Sequence, residues 1–367
     1  MKRITAKTSL KNYPIFIEKG IFEKIPEYLS KYFDDSQKTI FLTNDTLQDL
    51  YSNRIKWILS NTKNKSKIIT IKDGEEYKNL NTLTYIYDKL LEFNTHRDDI
   101  IIAFGGGVIG DICGFTAATF NRGINLIHIP TTIISQVDSS IGGKTAVNFK
   151  KIKNIIGCFY HPEMVFIDPL LLETLEERQI INGIGEMVKY GIIFDKRILK
   201  AFKENIEEND NSRLLKIAGK DWFLELIYRS CDIKTMVVRK DEFDIGYRNL
   251  LNFGHTVGHC IENAFDLREI NHGQAVGLGM IVAINISIDL GLIDKKVKRD
   301  IVGLYKILKL PYRIPEIDTS KIINALKYDK KFTAGQNKFI LIKGINKPFL
   351  YSNTEKSIIL DNIKKSM

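Results

Sequence analysis

Apolar residues recur along this chain in two different rhythms. In the first half they come as short runs. Thr39–Leu42 and Lys67–Ile71 are β-branched segments, and Asp99–Phe104 is a nearly continuous apolar run ended by Gly105. Runs of this length without alternation read as strands covered on both faces of a parallel sheet. Ile124–Ile129 and Met164–Ile167 repeat the type, bounded by Pro130 and by Asp168-Pro169. Leu80, Leu83, Ile86, Tyr87, Leu90 and Leu91 stand at helical spacing within Leu80–Phe93, so strands alternate with helices and an α/β domain with a parallel core is predicted. After about Leu170 the rhythm turns helical. Arg178–Phe194, Arg213–Val238, Asn252–Phe265, Gly273–Leu290 and Lys295–Leu308 carry 3.6-residue spacing, with breaks at Asn209–Asn211, Gly246 and Gly291. Phe339–Lys343 and Pro348–Tyr351 predict a short hairpin before a last helix. The expected division is an α/β domain over 1–175 and a mainly helical domain over 176–367.

Composition narrows the classes. At 367 residues, with 44% hydrophobic and 27% charged residues, this is an ordinary folded chain long enough for two domains. Lys and Arg total 54 against 44 Asp and Glu, a formal charge of +10. The basic residues are interspersed with acids and form no run of five like charges, which argues against nucleic acid and leaves a small anionic metabolite as the expected partner. Cys113, Cys158, Cys231 and Cys260 are widely spaced and form no CxxC pair, so reduced cytoplasm is expected. The start Met1-Lys2-Arg3 leads into no apolar targeting segment, and no run of 18 apolar residues occurs, so no membrane association is expected.

Three constellations carry chemistry. Gly105-Gly106-Gly107-Val108-Ile109-Gly110-Asp111 follows the apolar strand and formally satisfies GxGxxG. Glycines there admit a pyrophosphate to the backbone, and the following helix aims free N–H groups at it. No acid follows at the usual dinucleotide spacing, so a standard Rossmann reading is insecure. Upstream, Asp73-Gly74-Glu75-Glu76-Tyr77-Lys78 leaves a strand end with a carboxylate and an amine. Second, Pro130-Thr131-Thr132 precedes Asp138-Ser139-Ser140-Ile141-Gly142-Gly143-Lys144-Thr145. Asp138 stands where a Walker A loop needs glycine, so this is a backbone cradle with one cation, to which Lys153-Asn154 adds donors. Third, His255 and His259 stand four apart on one helical face and His272 opens the next helix. With Glu186 in an apolar segment and Lys189 three residues on, these are metal-ligand chemistry. Spacing alone does not choose between His255 and His259.

Taken in order, these segments resemble the 3-dehydroquinate synthase family over nearly the whole chain. Arg122-Gly123, Lys189-Tyr190-Gly191, Lys234 with Asp241-Glu242, Arg248 with Leu251–His255, His272-Gly273 and Asp329-Lys330-Lys331 also carry the likeness. The resemblance implies a dehydroquinate synthase-like fold with an N-terminal NAD-binding α/β domain, a helical metal- and substrate-binding domain, and an active site in the cleft between them. It also implies a cytoplasmic homodimer. Glu186, His255 and His272 would ligate one divalent metal, zinc or cobalt. NAD would lie along Asp73, Gly74, Glu75, Glu76, Tyr77, Lys78, Gly107, Val108, Ile109, Gly110, Asp111, Thr131, Thr132, Lys144, Lys153, Leu171, Leu172, Glu173 and Thr174.

The implied substrate is 3-deoxy-D-arabino-heptulosonate 7-phosphate, converted to 3-dehydroquinate and phosphate in the shikimate pathway of aromatic amino acid biosynthesis. The implied course is transient oxidation, phosphate elimination, re-reduction and aldol closure. Lys144, Asn154 and one of Lys330 or Lys331 would face the phosphate, with Arg122 reaching in from a second subunit. Lys234 and Arg248 would grip the carboxylate and Asn252 a hydroxyl. Asp138, Lys189 and His259 complete the expected catalytic and substrate-binding set. Two departures stand out. Many relatives have Leu-Pro where this chain has Leu175-Glu176, and His-Gly-Glu where it has His272-Gly273-Gln274. The rivals are a cyclase acting on another sugar phosphate, such as 2-deoxy-scyllo-inosose synthase or a sedoheptulose 7-phosphate cyclase, a glycerol dehydrogenase-like enzyme, and a non-catalytic anion-binding protein.

Overall fold

The computed structural model describes residues 1–150, 152–207, 214–265, 270–315, 321–322, 339–352 and 355–367. In chain order the first elements are β1 (Lys2–Ala6), β2 (Tyr13–Ile17), α1 (Ile25–Tyr32), β3 (Thr39–Asn44), α2 (Asp45–Asn61), β4 (Ser66–Ile71), α3 (Leu80–Glu92), β5 (Ile100–Gly105) and α4 (Gly107–Thr119). Then come β6 (Asn125–Pro130), β7 (Lys144–Phe149), β8 (Ile152–Phe159), β9 (Met164–Ile167), α5 (Glu177–Ile193), α6 (Lys196–Asn205) and α7 (Asp221–Lys240). The chain continues through α8 (His255–Ala264), α9 (His272–Asp289), α10 (Lys295–Ile307), β10 (Phe339–Ile342), β11 (Pro348–Tyr351) and α11 (Lys356–Lys364).

It divides into two compact units, Met1–Leu175 with Ala218–Phe243, and Glu176–Ile217 with Asp244–Met367. In the first, seven strands form one sheet in the order β1-β2-β9-β6-β5-β3-β4. It is parallel throughout except at its edge, where β1 runs against β2. Successive side chains serve opposite faces. Phe41 of β3 packs with α1 and α2, whereas Ile40 and Leu42 pack with α3 and α4. The chain steps from β3 outward to β4, then returns to pair β5 on the other side of β3. Strand order therefore reverses between β3 and β5, and the carboxyl ends of strands at such a switch point are where open α/β sheets take ligands.

The expected division placed all of 176–367 in the helical domain, but α7 belongs with the first unit. Lys2 pairs with Glu225, and Lys19 Nζ lies 2.6 Å from Asp221 Oδ1. Helical periodicity shows that one face is apolar and not which core will cover it. The helix expected over Asn252–Phe265 is α8 and begins three residues later, Asn252 being the last residue of a 3-10 turn, Tyr247–Asn252. Gly254, at φ +80°, interrupts the helical path between them.

In the second unit α9 is buried on every side from Ala275 to Ser287 and packs against α5, α8, α10, α11 and β10. Among the described residues no helix is long and apolar enough to cross a membrane. The β10–β11 hairpin forms with the expected strands.

Candidate active site

At the switch point of the first unit, β5 runs into α4 through Gly106, an N-cap with no side-chain hydrogen bond to the helix. The first N–H groups of α4 thus have no side-chain cap, a feature that suits an anion. A Cβ on Gly105 would lie 2.5 Å from Ile109 Cβ, so residue 105 must be small for strand and helix to meet. On Gly107 it would make an ordinary contact, 3.4 Å from Ser139 Oγ, which leaves the space in front of the helix open. Thr131 is held beside this turn by its N–H, which donates to Gly105 O at 3.1 Å. A dinucleotide pyrophosphate fits this donor set.

The side chains around the turn are prearranged. Asp73 Oδ1 accepts from Asn44 Nδ2 at 2.7 Å, while Asn44 also caps α2 by accepting from Leu47 N–H. Asn44 was missed by the sequence reading, although Asn-Asp after a β-branched run is an N-cap signal. Lys78 is buried and donates to both Asp111 and Asn154. Asn148 reaches Glu75 Oε1 at 2.8 Å, tying the β7–β8 ribbon to the Glu75–Tyr77 turn. The sequence pattern predicts no strand there, because β8 is exposed along its first four residues, which erases alternation. Lys144 opens β7 and Lys153 lies on β8, both exposed, as is Arg122. Asp138 sits in a π-turn, Ser135–Ser139, and pairs with Lys234 Nζ of α7 at 2.5 Å. Leu171 and Leu172 are core residues, and Leu171 O accepts from Tyr51 Oη at 3.2 Å. Glu173 and Thr174 are exposed beside them.

The second unit gathers charge instead. Glycines set its helix crossings. A Cβ at Gly273 would lie 1.9 Å from Asn182 O, one at Gly185 2.5 Å from Gly273 O, and one at Gly279 1.9 Å from Gly254 O. Backbone-to-backbone approach at these points brings Glu186 of α5 against His272 of α9 and seats α8, with His255, on α9. Asn182 Oδ1 accepts from Gly273 N–H at 2.7 Å, and Asn271 Nδ2 donates to Arg178 O at 3.0 Å, fixing the start of α9 on α5.

Glu186 and Lys189 are each 1% exposed and pair through Glu186 Oε2. The other oxygen, Oε1, is buried with no hydrogen-bond partner. Facing it are His255 Nε2 at 3.5 Å and His272 Nε2 at 3.6 Å. Each imidazole is fixed from behind, His255 by Nδ1 on Phe253 O at 3.3 Å and His272 by Nδ1 on Glu262 Oε2 at 3.0 Å. Three donor atoms with an orphaned carboxylate oxygen fit a cation, with the outer nitrogens held as metal-ligating histidines usually are. Without a cation, burial opposes the Glu186 carboxylate, but Lys189, His255 and His272 outweigh it and hold the group well below its usual range. Burial also opposes a charge on His272, yet Glu186 and Glu262 raise it to about 10. Burial and Lys189 drive His255 well below its usual value.

His259, one turn along α8, is exposed and groups with Glu262 and His272 rather than with Glu186. The two histidines that spacing left open thus fall in two overlapping donor groups that share His272. Glu262 was missed, since an acid three residues after a helical histidine has no signature of its own. Arg248 is buried, and Asn252 Nδ2 lies 3.4 Å from Asn249 Oδ1. Lys330 and Lys331 lie outside the described residues. Both departures have local explanations. Gln274 completes a capping box, its Oε1 accepting from Asn271 N–H at 3.1 Å. Glu176 is the N-cap of α5 with φ −64°, a value that proline also holds.

The family models described as 3-dehydroquinate synthase N-terminal and C-terminal match residues 68–182 and 183–332. The chain belongs to the 3-dehydroquinate synthase family. A 3-dehydroquinate synthase of Clostridium botulinum (strain Alaska E43 / Type E3) is 40% identical over 355 residues, covering 96% of this chain and 98% of that one. A solved 2-deoxy-scyllo-inosose synthase, complexed with carbaglucose-6-phosphate, NAD+ and Co2+, superimposes with a TM-score of 0.86 at 26% identity over 100% of both chains. A 2-epi-5-epi-valiolone synthase from Streptomyces hygroscopicus subsp. jinggangensis 5008, with NAD+ and Zn2+ bound, shares the fold at a TM-score of 0.86 and 23% identity, covering 99% of both. Dehydroquinate synthase-like architecture, an α/β unit with a parallel-dominated sheet and a helical unit, is thus the fold of this family member.

Proposed function

We propose that the chain catalyses the reaction of its family, converting 3-deoxy-D-arabino-heptulosonate 7-phosphate to 3-dehydroquinate and inorganic phosphate. That makes it a phosphate-eliminating carbon–oxygen lyase of the shikimate pathway. The carrying observation is the buried Glu186 carboxylate, with one oxygen on Lys189 and the other facing two imidazole nitrogens, in a chain 40% identical over 96% of its length to a 3-dehydroquinate synthase. The solved 2-deoxy-scyllo-inosose synthase, complexed with carbaglucose-6-phosphate, stands further off, at 26% identity.

The cofactors of this reading are NAD+ and one divalent cation, zinc or cobalt. NAD+ supplies a reversible hydride acceptor, so the net reaction is redox neutral. The cation supplies Lewis acidity toward substrate oxygens. The protein's own residues bind and orient. Glu186, His255 and His272 hold the cation, and Lys189 keeps Glu186 ionised. The Gly105–Gly107 turn and the N-terminus of α4 receive the pyrophosphate, with the Asp73–Lys78 segment beside them. Lys144 and Asn154 take the substrate phosphate, Lys234 and Arg248 are the cations for its carboxylate, and Asn252 and His259 bond its hydroxyls. Fixed cations matter here because elimination leaves a phosphate dianion, and a positioned charge lowers the barrier without moving a proton. The reading includes a cytoplasmic homodimer to which a second copy lends Arg122; the four cysteines are all free thiols.

The test follows phosphate and the absorbance of reduced cofactor together, with the cation present and NAD+ far below the substrate concentration. Many phosphates per NAD+ with no accumulating NADH is expected. Stoichiometric NADH without phosphate would replace this reading with that of a polyol dehydrogenase.

A further inference from the structure

Lys144 follows the Gly142-Gly143 turn, and the first unit grips that turn through a buried ionisable pair. Gly143 has φ +69°, and a Cβ there would lie 2.8 Å from both Cε1 and Nδ1 of His161, so the main chain lies directly on the imidazole. Gly142 N–H donates to Tyr13 Oη at 3.2 Å, and Tyr160 N–H donates to Gly143 O at 2.7 Å. The Tyr13 and His161 rings stack with centroids 5.6 Å apart. His161 is fixed in turn by Nε2, which lies 2.9 Å from Glu242 Oε1, with both side chains buried. Glu242 Oε2 accepts from Ser9 N–H at 2.5 Å. Beside a carboxylate, Nε2 carries the proton and donates it, which sets the ring plane.

Glu242 stands two residues beyond α7, the helix that also carries Lys234. Lys234 holds Asp138 at 2.5 Å. Helix α7 and the residues just past its end therefore anchor the 138–144 loop at both ends, by an ammonium at Asp138 and through an imidazole at Gly142-Gly143. A buried carboxylate–imidazole pair is an expensive way to fill space that leucine or phenylalanine would fill, whereas it fixes an orientation that apolar packing leaves loose. We infer that Glu242 and His161 are positioning residues that set the Gly142-Gly143 turn, and with it the Lys144 ammonium, for the phosphate of the substrate. The inference rests on the reading of Lys144 given under Proposed function.

Glu242→Gln and Tyr13→Phe test it. Glu242→Gln loosens the hold on the imidazole, and Tyr13→Phe removes the hydroxyl that accepts from Gly142 N–H. The readouts are kcat and KM for the heptulosonate phosphate, the dissociation constant of inorganic phosphate by titration calorimetry, and the thermal midpoint. Glu242→Gln is expected to raise KM and the phosphate dissociation constant about tenfold with kcat within about threefold, and Tyr13→Phe to raise the same two constants roughly threefold. A lower thermal midpoint with KM and phosphate affinity unchanged would reduce the pair to a structural role and overturn the inference. If Glu242→Gln does not fold, unchanged phosphate affinity in Tyr13→Phe overturns it alone. A wild-type chain that binds inorganic phosphate but releases none from the substrate refutes the functional reading only, and the variants' phosphate affinities still decide the positioning. A wild type with no affinity for phosphate sinks the inference as well.

Discussion

Around Gly105-Gly106-Gly107 the first unit presents main chain, and around Glu186 the second presents side chains. The glycine turn is uncharged, follows a strand buried along its length, and offers N–H groups that need no partner to keep the fold intact. The cluster at Glu186 places a carboxylate, an ammonium and two imidazoles within helices whose surroundings are apolar. The first arrangement costs little to leave empty. The second is costly unless every charge is answered, because buried ions lose solvation that only close partners restore. Binding and stability should therefore separate at the glycine turn and move together at the cluster.

The largest effect is expected from Glu186→Ala. It removes a proposed cation ligand and leaves Lys189 buried without its carboxylate, so turnover should fall by on the order of a thousandfold or more and stability by about 3–5 kcal/mol. Metal content by emission spectrometry and urea unfolding would read both. A variant that keeps its midpoint breaks the link between site and fold. Next, Glu262→Gln leaves the buried pair in place but weakens the hold on His272, and cation affinity should drop roughly 10–100-fold in chelator competition, with NAD+ affinity unchanged. If Glu262 does nothing for the cation, the outer nitrogen of His272 needs no carboxylate.

Gly107→Ala sharpens the other side. A Cβ there meets nothing closer than 3.4 Å in the protein, so the thermal midpoint should hold. NAD+ affinity should weaken roughly tenfold as one N–H bond to the pyrophosphate is spoiled. The smallest effect concerns Glu242. Burial raises its pKa, but the Ser9 N–H and His161 outweigh this and lower it to about 2. Because the folded value lies below the unfolded one, the stabilisation is complete above about pH 4.5 and is lost as pH falls toward 2. Allowing for solvent screening, about 1–2 kcal/mol should disappear over that range. Glu242→Gln should flatten this part of the urea-midpoint profile.

Much of the α/β alternation was legible because parallel strands buried on both faces must be apolar runs, and β9 matches its expected span residue for residue. Glu186 with Lys189 was legible because a lone acid in an apolar helix demands an answer three or four residues away. What escaped depended on distant partners. Nothing near Glu262 signals that it will meet His272, and nothing near residue 161 signals Glu242, which is 81 positions away. The helix over Asp221–Lys240 was legible as a helix but not as part of the first unit, because its salt bridges are to Lys2 and Lys19.

That last feature has a consequence for synthesis. A ribosome delivers residues in order, and the unit begun at Met1 is completed only by Ala218–Phe243. Until then the nascent sheet lacks the helix that carries Glu225, Lys234 and the approach to Glu242. Some forty residues destined for the other unit have by then already emerged between the two parts. Vectorial folding of the first unit to its final state is therefore unavailable, and a gene cut at codon 175 would encode a fragment with an uncovered face and an unanchored Gly142-Gly143 turn.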